Sequence, residues 1–351
     1  MSYFRVPKGY YSLGIALLLE RFAFFGIVSI LVQFLTQQPS FSQSDAGELV
    51  TQFRYSAPLF LVVGGATVDY FLTGKRSLAI AGLFYLIGTL LVILAGKASS
   101  SSLVYVALGL IMVGHALFRP MLYSQIVNFY DSEDDPGLPL SLLFLPWFMN
   151  IGSFLATLFC GRLANEVGLD AGFLVASIAA GGIILLTRDV FTKKEDSSSQ
   201  KFINKTLILT VMTLAVIALV SQSAVRMIGE ADSIETGTDL STVVELLHPL
   251  ILPVTLPFLW MGIRRGFPDV SIKTCVMISS CVAIVTGLAL YASGLEHGIT
   301  RSLVVISSIV FFSLAEVLAF ASMLANTPSR RRATVSGGFD TMSSLITGYI
   351  Y

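Results

Sequence analysis

Residues 10–35 read YYSLGIALLLERFAFFGIVSILVQFL, an apolar run long enough to cross a bilayer with a single charged pair, Glu20 and Arg21, near its middle. A membrane-spanning helix needs about 20 such residues. A charged group at the bilayer centre costs at least about 2.5–3.5 kcal/mol, so it is retained where a partner or a water-filled cavity receives it. This run therefore predicts both a membrane helix and a reason for it beyond anchoring.

The whole chain repeats the pattern. It has 351 residues, 54% of them hydrophobic and 13% charged, with mean hydropathy +0.79. A soluble domain carries about 25% charged residues. Further apolar runs lie near 53–72, 77–96, 103–127, 138–161, 166–187, 206–228, 244–263, 270–292, 302–325 and 333–351. Eleven runs, the last reaching Tyr351, lead to the expectation of a twelfth helix that is missing here. Net charge is zero, which argues against a nucleic-acid partner. Cys160, Cys275 and Cys281 lie in apolar runs without metal-ligand spacing or a disulfide framework. No cofactor or metal is expected. Without a Ser/Cys nucleophile arrangement or a phosphate-binding loop, an enzyme is not expected either; a non-transporting receptor or scaffold is a further alternative.

Basic residues set the orientation. With the N-terminus cytoplasmic, the inner segments hold Arg5, Lys8, Lys75, Arg76, Arg188, Lys193, Lys194, Lys201, Lys205, Arg264, Arg265, Lys273, Arg330, Arg331 and Arg332. The outer loop 229–243 has four acids and no Lys or Arg. The polar stretch 188–205 reads as a linker. It divides an N-terminal bundle, 1–187, from a C-terminal one, 206–351, giving six spans and five. The turn carrying Lys75 and Arg76 is echoed by the one carrying Arg264 and Arg265.

Depth brings the intramembrane polar groups together. At about 1.5 Å per residue, Glu20 and Arg21, Arg119, Asn150 and Glu316 all lie roughly 12–18 Å from the inner face, on four helices. Two readings stay open: a solute cavity between the bundles, or ion pairs such as Glu20 with Arg119 that only tie helices together. Gln222 and His248 lie nearer the outer side, where helix–helix hydrogen bonding is the competing reading.

Several motifs resemble those of the proton-coupled oligopeptide transporter family of the major facilitator superfamily. They are Glu20-Arg21-Phe22-Ala23-Phe24-Phe25-Gly26, Gly64-Gly65-Ala66-Thr67-Val68-Asp69 through Gly74-Lys75-Arg76, Leu117-Phe118-Arg119-Pro120, Tyr130-Asp131-Ser132-Glu133-Asp134, Trp147-Phe148-Met149-Asn150-Ile151-Gly152-Ser153 and Leu247-His248-Pro249-Leu250. The resemblance implies an all-α polytopic membrane protein with the major facilitator fold. Its two pseudo-symmetric bundles here have six and five helices. It also implies a monomer in a plasma or bacterial inner membrane that takes up short peptides or similar zwitterions with protons by alternating access.

By position, the resemblance gives Arg21 and Arg119 the solute carboxylate, Asn150 and Glu316 its amino end, and Glu20 and Glu316 the protons. Phe24, Phe25, Gln222 and His248 fall in the pocket wall, and Asp69, Lys75 and Arg76 at a gating turn. There are departures. The family's first span-one acid falls on Leu17. Both tyrosines are Phe24 and Phe25, the span-four Lys is Arg119 and the span-eight Asn is His248. The alternative is therefore a major facilitator transporter of a non-peptide anionic or amphipathic solute with altered or absent coupling.

Overall fold

The computed structural model describes residues 7–71, 77–130, 135, 137–188 and 190, with short pieces at 257–263, 265–266, 274–275, 278–279, 281–282, 285, 318, 332 and 335–338. Its six complete elements are helices: α1 (Lys8–Thr36), α2 (Gln43–Phe71), α3 (Ser77–Ala98), α4 (Ser101–Val127), α5 (Gly137–Glu166) and α6 (Leu169–Thr187). All except α2 are long and apolar enough to cross a bilayer. Helices suit this solvent because each satisfies its own backbone groups. Gln222, His248, Glu316, Lys75 and Arg76, and the 188–205 linker beyond Arg188 and Val190, lie outside the described residues.

Local chemistry sets the helix ends. Pro7 precedes the first turn of α1, where a missing N–H costs nothing. The start of α2 is a reciprocal cap: the Ser42 hydroxyl accepts from Asp45 N at 3.2 Å, and Asp45 Oδ2 accepts from Ser42 N at 3.0 Å and from its hydroxyl at 2.7 Å. That cap starts α2 ten residues before the apolar run at 53. Hydropathy marks where a helix enters lipid, and this one is nucleated in water. Between α5 and α6 the chain turns at Gly168, whose φ of 131° suits glycine alone. The sixth helix thus begins at Leu169 rather than near 166.

α1 packs against α5 and α6, α3 against α4 and α6, and α2 against α4. Small residues permit the close approaches, as is usual between membrane helices. A side chain at Gly152 of α5 would overlap the Leu18 carbonyl of α1, and one at Gly64 of α2 would overlap the Ala116 carbonyl of α4. Ala116 lies four residues before Pro120, which has no N–H to return to it. The carbonyl that Pro120 frees is thus the one over which α2 passes.

The buried apolar side chains form two clusters stacked along the helices. One holds Ala23 to Leu35 of α1, Tyr85 to Ala95 of α3 and Val104 to Met112 of α4. The other holds Tyr10 to Leu17 of α1, Leu78 and Ala81 of α3 and Leu117 to Val127 of α4. At their junction lie Glu20 and Arg21 on α1 and His115 on α4, with Tyr85 of α3 at the edge of the first cluster. A polar layer is thus enclosed between two dry ones.

Candidate solute and proton site

Glu20 has no solvent exposure and Arg21 is 6% exposed. Neighbouring residues on a helix diverge by about 100° and do not normally face each other. Here Arg21 folds back, so that Nε donates to Glu20 Oε2 at 2.6 Å and Nη2 to Oε1 at 2.8 Å. This is a bidentate, charge-assisted fork. The third guanidinium nitrogen, Nη1, has no hydrogen-bond partner among the described residues.

Two further helices converge on the same carboxylate. The Tyr85 hydroxyl donates to Glu20 Oε1 at 2.5 Å, and His115 Nδ1 lies 2.8 Å from that oxygen. His115 Nδ1 also lies 3.0 Å from Arg21 Nη2 and 3.2 Å from the Tyr85 hydroxyl. Helices α1, α3 and α4 therefore meet at one buried oxygen. An unpaired carboxylate there would be prohibitive, and the geometry supplies it with three partners.

Aromatic faces close the wall on the α1 side. Phe24 stacks on His115 with ring centroids 5.0 Å apart and on Phe53 of α2 at 5.5 Å. The Arg21 guanidinium carbon sits 5.5 Å from the Phe24 ring centre and 5.8 Å from that of Phe25, within cation–π range. Where hydroxyls are lacking at 24 and 25, the rings hold a cation and an imidazole in place by their faces.

Arg119 is buried one helical turn beyond His115 on α4, the same face by i, i+4 spacing. Asn150 is half-buried on α5. It stands two residues from Gly152, about 200° around the helix, so the α5 side against α1 is that of Gly152 rather than of Asn150. Asp69 is half-buried near the end of α2. At the C-terminal end of α4 the Asn128 side-chain carbonyl accepts from Nη1 of Arg332, which is 7% exposed. Leu17 is fully buried in the second apolar cluster.

Tyr85 and His115 are the two residues that the sequence reading passed over. Each is one polar group inside an apolar run, which a span tolerates. The available signal was spacing: His115 precedes Arg119 by four residues, and the depth arithmetic that gathered Glu20 and Arg119 places both in the same layer.

Residues 75–249 match the POT family. The "Dipeptide and tripeptide permease A" of Pectobacterium carotovorum subsp. carotovorum (strain PC1) is 26% identical over 257 residues, covering 72% of this chain and 50% of that protein. The chain spans between 38% and 50% of the length of the first curated relatives it matches. Among solved structures, an auto-inhibited POT family peptide transporter superposes with TM-score 0.52 at 16% identity, over 98% of this chain and 88% of that one. The major facilitator superfamily proton:xylose symporter XylE superposes with TM-score 0.58 at 13% identity, over 99% and 88%. At such identities these structures speak for the fold, which is that of the major facilitator superfamily.

Proposed function

We propose that this chain, which belongs to the POT family, works as a secondary active transporter carrying short peptides or similar zwitterions with protons by alternating access. The observation that carries the reading is the buried Glu20–Arg21 fork, enclosed between two apolar clusters. A carboxylate and a guanidinium in a dry layer interact strongly, and protonating the carboxylate removes the charge that holds the fork. The N-terminus faces the cytoplasm in this reading, and a monomer in the bilayer is the working unit.

Arg21 offers Nη1, and Arg119 a second guanidinium on α4, to the carboxylate of the solute. Guanidinium groups match carboxylates bidentately and keep their charge at any physiological pH. Asn150 and Glu316 receive the amino end. A proton on Glu20 loosens its hold on Arg21 and strengthens the grip of Arg21 on the solute; Glu316 exchanges the other proton. Phe24, Phe25, Gln222 and His248 shape the pocket. Asp69, Lys75 and Arg76 open and close the inner turn, and the Asn128–Arg332 contact supports a closed inner end in the present conformation.

A second reading, a non-peptide anionic or amphipathic solute with altered coupling, is favoured by the wall of Phe24, Phe25 and Phe53, which offers ring faces and no hydroxyl. Uptake of labelled di- and tripeptides into proteoliposomes, with and without an inward proton gradient, separates the two. Accumulation that follows the gradient is expected. No peptide uptake under either condition overturns the peptide reading, and equal uptake overturns the coupling.

A further inference from the structure

Resting on that reading, we infer that His115 shares a proton with Glu20 and thereby decides whether a proton taken up by the buried layer releases Arg21. Two contacts conflict at one atom. His115 Nδ1 lies 2.8 Å from Glu20 Oε1 and 3.0 Å from Arg21 Nη2. Toward a carboxylate oxygen the nitrogen must donate; toward a guanidinium it must accept. A single protonation state satisfies one contact and opposes the other. Nε2, whose partner would ordinarily set the tautomer, has no hydrogen bond among the described residues, so the ring can adopt either form. Stacking on Phe24 with 27° between the planes holds the ring in place while the proton changes position.

The groups around His115 are Glu20 and Arg21 from α1, Tyr85 from α3 and Arg119 on its own helix, while α2 contributes Phe53 behind Phe24. In the unloaded state Glu20 is a carboxylate, clamped by Arg21, and His115 is neutral with its proton on Nδ1. A proton from solvent bonds to Nε2, making an imidazolium that still donates to Oε1. The Nδ1–H bond then breaks and an O–H bond forms on Glu20. The ring is left neutral with its proton on Nε2. One proton has entered, none has left, and the charge of the pair has risen by one. The single Nδ1 lone pair now accepts either from the new O–H of Glu20 or from Arg21 Nη2, so Arg21 exchanges a charged partner for a neutral, shared one as its fork with Glu20 weakens. Tyr85 donates to Oε1 throughout.

The test follows the carboxylic C=O stretch of Glu20 by infrared spectroscopy on purified protein as pH is lowered, the band being assigned by its loss in Glu20→Gln. His115→Asn keeps a polar group near the Nδ1 position but cannot titrate. The expected result is that its band midpoint moves by about one pH unit or more from that of the wild type. An unchanged midpoint overturns the inference. Nitrogen NMR of wild-type protein labelled in histidine removes dependence on the variant's folding. A histidine proton that moves from Nδ1 to Nε2 in step with the band supports it, and an invariant tautomer overturns it. Both readouts are independent of transport. In proteoliposomes, His115→Asn is expected to lose gradient-driven dipeptide accumulation, and accumulation equal to that of the wild type overturns the inference. Wild-type protein that moves no dipeptide refutes the transport reading, while the spectroscopic result still decides the proton-sharing.

Discussion

Replacing Gly114 by Ala tests the packing that aims Tyr85 at Glu20. A Cβ at position 114 would stand 2.8 Å from Tyr85 Cδ2, 2.9 Å from the Ala81 carbonyl oxygen and 3.0 Å from Tyr85 N. Carbon–carbon contacts settle at about 3.5–4.0 Å and carbon–oxygen contacts at about 3.3 Å or more. The overlap is therefore roughly 0.5–1 Å, and two of the three atoms belong to the α3 backbone, which cannot rotate aside. Overpacking of this kind costs about 1–3 kcal/mol. Gly109, on the same helix, meets nothing within 4 Å. Both Gly114→Ala and Gly109→Ala gain the same helix propensity, about 0.8–1 kcal/mol. That term cancels in the difference between them, which isolates the contact. Gly109→Ala is expected to melt at or above the wild-type temperature in detergent. Gly114→Ala is expected to be about 1–3 kcal/mol less stable than Gly109→Ala. It also draws the Tyr85 hydroxyl away from Glu20, so the pH dependence of uptake changes with it. If the two variants melt together, the α3–α4 approach at Gly114 is not as close as described, and the geometry drawn for Tyr85 falls with it.

Three other outcomes are expected. Tyr85→Phe removes one donor from Glu20 but leaves Arg21 and His115 in place, so no oxygen is orphaned. The loss in thermal stability is about 0.6–2 kcal/mol, the range for hydrogen bonds between membrane helices, and a loss above about 4 kcal/mol contradicts the shared load. In a background without Cys160, Cys275 and Cys281, the pair Asn128→Cys and Arg332→Cys, joined by a short thiol cross-linker, is expected to stop uptake and a reductant-cleavable linker to restore it. Uptake unaffected by a complete cross-link contradicts an inner contact that must open. Hydrogen bonds from the Ser42 side chain and backbone hold the Asp45 carboxyl below its ordinary value. A depressed folded value means that the cap is present above the unfolded value and lost as pH falls through the folded one. Protection of the first-turn amides of α2, measured against their intrinsic exchange rates, is therefore expected to fall on acidification below about pH 4, and Asp45→Asn to abolish that pH response; protection that stays constant in acid contradicts the cap.

The spans were readable because lipid permits few alternatives. Runs at 77–96 and 103–127 became α3 and α4 within two residues at each end. What hydropathy could not show is a helix that begins in water, as α2 does behind its Ser42–Asp45 cap. In the polar layer, Glu20, Arg21 and Arg119 stood out because charge in an apolar run is costly. The partner of Glu20 was less legible. Side chains adjacent on a helix diverge, so a pairing across helices, such as Glu20 with Arg119, was the natural alternative. The fork with Arg21 depends on a long side chain folding back beneath Phe24 and Phe25, which spacing does not encode. Position 17, where the resemblance expects an acid, is a leucine that belongs to the same apolar cluster as Leu13, Phe118 and Leu122.

The central claim is that Arg21 in the buried layer receives the carboxylate of a peptide. The most direct test is calorimetric titration of the purified protein with a dipeptide and with the same dipeptide amidated at its C-terminus. A charge-assisted hydrogen bond contributes about 1.5–3 kcal/mol, and each 1.4 kcal/mol is about tenfold in affinity. The free dipeptide is therefore expected to bind about 10- to 100-fold more tightly than the amide, and Arg21→Ala to reduce that preference to the part that Arg119 retains. Equal affinities in the wild type, or a preference undiminished in Arg21→Ala, would contradict it.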